Sequence, residues 1–132
     1  DTANINYYDG ATNQVSSVGV QGTGVAPANL TISESNPYNF GVTATGSTVN
    51  HTFTITNMGS FLASAISEVG LAAPFAFAAG AFPGTGGTCA VTLAAGATCD
   101  IVIAFNPTVV GVFPDTIDIT YNDGVSAQSV QR

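Results

Sequence analysis

Val49-Asn-His-Thr-Phe-Thr-Ile-Thr-Asn57 places Val49, His51, Phe53 and Ile55 on one side of an extended chain and Asn50, Thr52, Thr54 and Thr56 on the other. Strand side chains point alternately to opposite faces, so this run predicts a half-buried strand with an apolar face and a threonine ladder toward solvent. The same alternation returns in Cys99–Phe105, with Cys99, Ile101, Ile103 and Phe105 inward, and Pro107, which has no N–H for a ladder, ends it. Ile117–Tyr121 puts Ile117, Ile119 and Tyr121 inward and runs into Asn122-Asp123-Gly124, a hairpin turn signal, from which Val125–Gln131 returns. Shorter strands are expected at Leu30–Ser33, with Tyr38–Phe40 continuing it after Pro37, at Ser64–Val69, Phe75–Ala78 and Cys89–Leu93, with a turn at Ala94–Ala97 and a glycine-rich loop at Ala79–Thr88. No 3.6-residue pattern lasts long enough for an ordinary helix, so the chain reads as all-β.

At 132 residues the chain holds one core, with room for an appendage but not for a second sandwich. Charged residues are only 7% of it, lysine is absent, the sole arginine is Arg132, and the net charge is −7. A nucleic-acid partner is excluded, because phosphate binding needs clustered Lys and Arg. Anionic membranes are poor partners on the same ground, and the chain has no apolar run long enough for membrane insertion. The missing lysine also excludes lysine–asparagine isopeptide staples. A single basic residue at the last position is what cleavage after arginine would leave, or an arbitrary boundary.

Cys89 and Cys99 are the candidate staple, since an even cysteine count in a charge-poor β chain suits an oxidising compartment. Two buried free thiols are the alternative. A zinc site is a poorer reading, with one histidine and no further cysteine to complete four ligands.

The chain also carries a partial internal repeat. Ile5, Tyr7, Asp9, Gly10 and Gln14 recur as Ile119, Tyr121, Asp123, Gly124 and Gln128 at an offset of 114 residues, a period that suits one sandwich per repeat. Residues 1–28 are therefore expected to be the closing hairpin of a preceding repeat plus a linker, and residues 29–132 a repeat of their own.

From Leu30 onward the chain resembles the abnormal-spindle/Hydin-type immunoglobulin-like domains, most closely the bacterial surface repeats called choice-of-anchor D. The matching residues are Phe40-Gly41, Gly46-Ser47-Thr48, Phe53 to Gly59, Pro74-Phe75, Leu93-Ala-Ala-Gly96-Ala-Thr-Cys99, Phe105-Asn-Pro107, Gly111-Val-Phe113 and Ile117-Asp-Ile119. The resemblance implies an immunoglobulin-like antiparallel β-sandwich of seven to eight strands, related to the major sperm protein, with Cys89 and Cys99 joined. It also implies a tandem spacer or adhesive module of a bacterial exported protein, at the cell surface or outside the cell, with no enzymatic activity. Relatives in cilia and centrosomes are cytosolic and would be expected to carry lysines.

No catalytic, cofactor-binding or metal residue is expected. His51 lies in phase with Phe53 and Ile55, and no serine sits in a nucleophile elbow. The acids Asp1, Asp9, Glu34, Glu68, Asp100, Asp115, Asp118 and Asp123 form no calcium-loop pattern and read as dispersed solvating charge, with Asp9 and Asp123 as turn residues before glycine. Asn29-Leu30-Thr31 and Asn50-His51-Thr52 match the glycosylation sequon in a chain where Asn and Thr are simply common.

Two surfaces remain as candidates for partners. Val15–Gly22 is an alternating strand whose parent domain is missing, so Val15, Val18 and Val20 are expected to pair with a neighbouring copy, either upstream in the same array or in another chain as a head-to-tail fibre. Phe82 and Pro83, at the tip of the glycine-rich loop, would either contact a surface glycan or protein, as in an adhesin, or pack onto their own domain.

Overall fold

A computed structural model describes residues 1–132. Ten strands follow one another: β1 (Thr2–Tyr8), β2 (Asn13–Gly19), β3 (Leu30–Ile32), β4 (Val49–Asn57), β5 (Ala63–Glu68), β6 (Phe75–Phe77), β7 (Thr92–Leu93), β8 (Thr98–Phe105), β9 (Asp118–Asn122) and β10 (Ala127–Gln131). The last eight form two antiparallel sheets, in the orders β3-β4-β8-β6 and β10-β9-β5-β7.

The inward rows read from the sequence meet between these sheets. Phe53 and Ile55 on β4 and Ile101 and Ile103 on β8 are fully buried against Ile66 on β5 and Ile119 and Tyr121 on β9. Each such side chain contributes about 1.5–3 kcal/mol when removed from water. Cys89 and Cys99 are joined as a disulfide inside this core. Asn57, the last residue of β4, is also completely buried. Its Nδ2 donates to the carbonyls of Phe61 (2.8 Å) and Leu93 (3.1 Å), and its Oδ1 accepts from the N–H groups of Asn29 (3.1 Å) and Gly59 (3.0 Å). The amide thus ties the incoming chain, the β4–β5 turn and β7 together.

Two expected strands are corrected. Tyr38–Phe40 is not strand: Tyr38 stacks on His51 with ring centroids 3.9 Å apart and meets Phe40 edge-on, so aromatic packing rather than a ladder holds the segment. Cys89–Leu93 is reduced to Thr92–Leu93, because the Cys89 N–H turns to the Asp100 carbonyl on the other sheet (3.1 Å). Ala28, the last residue of the expected linker, is buried in the core.

The sandwich has two distinct poles. Leu30, Asn57 and the β9–β10 turn lie at the incoming pole, where Leu30 pairs with Asn57 and the Ala28 N–H donates to the Asp123 carbonyl (3.0 Å). Val49, Phe105, Phe75 and Arg132 lie at the outgoing pole, where Phe105 pairs with both Val49 and Phe75. Arg132 closes β10 there by exchanging two backbone hydrogen bonds with Ile117. The chain therefore enters and leaves at opposite ends.

Candidate assembly interface

β1 and β2 form a two-stranded sheet of their own, bonded to no strand of the sandwich. Val15 and Val18, expected to need an outside partner, face Asn6 and Ala3 within this hairpin, and Val20 exchanges backbone hydrogen bonds with Asp1. Val15–Gly22 thus has a partner within its own hairpin and none in the sandwich that follows. Its ladder partner is β1, and the outer edges of both strands are left open.

The duplication seen in sequence is reproduced in strand register and in the bonds of the turn carboxylate. In β1–β2, Tyr8 faces Asn13, Tyr7 faces Gln14 and Ile5 faces Ser16; in β9–β10, Asn122 faces Ala127, Tyr121 faces Gln128 and Ile119 faces Val130. Every pair matches at the offset of 114. In the first turn Asp9 Oδ1 accepts from the N–H groups of Ala11 and Thr12 (2.8 Å each), and Gln14 Nε2 donates to Asp9 Oδ2 (2.9 Å). In the second, Asp123 Oδ1 accepts from Val125 and Ser126 (2.7 Å each), and Gln128 Nε2 donates to Asp123 Oδ2 (3.0 Å). Gly10 and Gly124 share φ values of 98° and 97°, a left-handed conformation that glycine adopts without strain. The match runs back to the first residue: Thr2 N–H bonds Asp1 Oδ1 (2.7 Å) as Thr116 N–H bonds Asp115 Oδ1 (2.8 Å).

What differs is the setting. Ile119 and Tyr121 are 0% and 6% exposed, whereas Ile5 and Tyr7 are 68% and 52% exposed. The seated hairpin is held by β9 pairing with β5. The Leu30 N–H also donates to Tyr121 Oη (3.2 Å), and the Phe61 ring lies so close over Gly124 that a Cβ there would come within 2.5 Å of it. The first hairpin has the same inward chemistry with nothing beneath it.

Backbone N–H groups hold both turn carboxyls below the ordinary value of 3.8, led by Thr12 and then Ala11 at Asp9, and by Ser126 and then Val125 at Asp123. A carboxyl with a depressed folded-state pKa stabilises its turn above the unfolded value, and that contribution is lost as pH falls through the folded one. An acid titration followed by carboxyl-carbon NMR should show both groups titrating below 3.8. Values at or above it would mean that the turn bonds are absent in solution.

The other candidate residues are accounted for by packing. Phe82 is not displayed at a flexible tip, because its ring packs edge-on against Phe77 (centroids 5.4 Å apart) and the Pro83 carbonyl accepts from the Val102 N–H on β8 (2.8 Å). Short backbone bonds from Thr85 to Ala78 and from Thr88 to Asp100 stitch the rest of the loop down. His51 Nδ1 lies 2.8 Å from Tyr38 Oη, and its Nε2 is 3.8 Å from Glu34 Oε1, so the only imidazole is taken up by the aromatic cluster. No three His, Cys, Asp or Glu side chains converge on a metal-sized site.

One feature escaped the sequence reading. A cleft of about 890 Å³ opens between the sheets at the outgoing pole, floored by Phe40, Phe75 and Phe105 and rimmed by Val42, Val110 and Val112. The apolar run Val109-Val-Gly-Val-Phe113 was its available signal.

Eight antiparallel strands in two sheets, with a disulfide in the core and a duplicated closing hairpin, define an immunoglobulin-like β-sandwich of the structural or interaction class. A family model described as HYDIN/CFA65/VesB-like, Ig-like domain matches residues 30–131, and the chain belongs to that family, which is typically non-catalytic. The match begins at β3 and leaves out the first hairpin and its connector. Among curated proteins, no match to the chain was found.

Proposed function

We propose that the chain is a non-catalytic repeat module of an exported bacterial cell-surface stalk, of the choice-of-anchor D kind, in which each sandwich is closed by a hairpin that lies just before the next. The observation that carries this reading is the register and turn-carboxylate bonding that β1–β2 shares with β9–β10 at an offset of 114, one copy seated and the other bare. By that equivalence β1 takes the place of β9. Tyr8, Asn6 and Ile5 then face the preceding repeat's counterparts of Ser64, Ser67 and Glu68.

The same comparison favours a tandem array over a fibre of exchanged strands. β9–β10 is fully seated in this sandwich, so another copy of the chain offers no vacant groove to a foreign hairpin. The home of β1–β2 is then a repeat upstream in the same polypeptide. Export is supported by the disulfide, since such bonds persist in oxidising compartments. No helix of the chain is long and apolar enough to cross a membrane. Phe82, which motivated the adhesin reading, is half-buried against Phe77, and this favours the stalk.

Opposite poles for the incoming and outgoing chain make the array linear. β4 alone, with nine residues, spans about 30 Å. Two copies joined at the 114-residue period should therefore exceed a single chain in maximum dimension by at least about that much in small-angle scattering, and the single chain should remain monomeric in light scattering. Fibres growing from the single chain would overturn the tandem version in favour of strand exchange.

A further inference from the structure

The cleft at the outgoing pole has an occupant that the duplication itself identifies. β10 sends Gln128, Val130 and Arg132 to one face, because alternate residues of a strand share a face. Val130 packs against the core, and Arg132 lines the cleft, its guanidinium donating to the carbonyls of Ile32 and Ser33. At the offset of 114, Arg132 corresponds to Val18, so Val20 stands for the position two beyond Arg132 on that same inward row.

The first hairpin shows how the backbone runs there. Thr2 faces Gly19, and the Val20 N–H donates to the Asp1 carbonyl (2.9 Å). Thr116 and Asp115 are the counterparts of Thr2 and Asp1, and Asp115 also lines the cleft. A linker that continues β10 as Val20 continues β2 would thus pair with Thr116 and Asp115 and aim its valine between the sheets.

We infer that the linker Val20–Pro27 of a following repeat fills the apolar cleft of the repeat before it, with Val20 on the aromatic floor and Val25 against the valine rim. This rests on the tandem reading above and adds the partner of the cleft to it. In the present chain Val20 and Val25 are both about half exposed, and they cover nothing. Gly19, Gly22 and Gly24 have no positive φ, and a Cβ at any of them would meet nothing within 4 Å, so the chain's own fold gives no reason for glycine there. A backbone lying across a cleft mouth between Val42 and Val110 does, because it must approach both loops closely. The joint between repeats is then packed rather than a free swivel.

The test uses the full chain followed directly by residues 19–132, compared with the single chain by hydrogen exchange. The expected result is at least tenfold slower exchange in the two-copy protein at the amides of residues 41–45 and 109–113 of the first copy and at the joined Val20. Val20→Asp in the linker should return both loops to single-chain rates. If the joined Val20 amide is protected while the loops exchange as in the single chain, strand continuation stands and the cleft assignment is overturned. Loss of protection at Val20 as well would remove the cleft assignment together with the strand continuation expected of a tandem joint. Loop protection that survives Val20→Asp would overturn the assignment of Val20 to the floor.

Discussion

Replacing Asn57 with alanine is expected to lower the stability of the sandwich by about 3–5 kcal/mol, because the truncation strands four backbone groups at once. The N–H groups of Asn29 and Gly59 lose their acceptor, and the carbonyls of Phe61 and Leu93 lose their donor, around a residue with no exposure to water. Each buried group left unsatisfied costs about 1–3 kcal/mol, reduced where the cavity lets water in. Asn57→Asp keeps the two acceptor bonds but turns a carboxylate toward two carbonyls, and it should be at least as damaging. Urea unfolding of each variant measures the effect. A loss below about 1 kcal/mol for Asn57→Ala would mean that the incoming pole is not held by this amide.

A comparable loss is expected at one tyrosine of the duplicated hairpin and none at the other. Tyr121→Ala removes a buried ring and the acceptor for the Leu30 N–H, and should cost about 3–5 kcal/mol. Tyr7→Ala, at the equivalent position with the same cross-strand glutamine, should leave the unfolding midpoint of the sandwich within about 0.5 kcal/mol of the parent chain. Side chain and hairpin are alike in the two cases, so the contrast isolates the seat. Equal effects at both positions would show that the first hairpin is packed against its own sandwich in solution.

Alternation made the long strands legible. β4 spans the nine residues read from the sequence, and the inward phases of Cys99–Phe105 and Ile117–Tyr121 are buried in the core, with Val102 on the outward phase buried as well. The closing hairpin was equally plain, because Asn122-Asp123-Gly124 carries both the turn carboxylate and the left-handed glycine. Short segments were harder. Tyr38 and Phe40 have the period of a strand, yet Tyr38 stacked on His51 and edge-on to Phe53, with Phe40 tilted against Phe53, satisfies that period without a ladder. Asn57 gave no sign of its importance, since a polar residue at a strand end ordinarily opens a turn, and only the three segments converging on it reveal the amide as a clasp. Phe82 was ambiguous because a glycine-rich loop can be mobile or tightly stitched. Here Gly84 and Gly87 let the backbone lie against β8, where a Cβ would fall within 3 Å of the carbonyls of Val102 and Asp100. The candidate interface was legible through identity at 114 residues, whereas the cleft was not, because the apolar run Val109–Phe113 meets the distant Phe40–Val42 segment only once the fold brings the two loops together.

The most direct test of a shared hairpin is a polypeptide in which residues 20–114 are followed by the full chain. The first sandwich then lacks β9 and β10 of its own and has only the next copy's Asp1–Gly19 to close it. Two folded sandwiches are expected in calorimetry and exchange mass spectrometry, with Tyr7→Ala in the joined hairpin now destabilising the first of them by about 3 kcal/mol. A first copy that stays unfolded while the second melts as the parent chain does would contradict the shared hairpin.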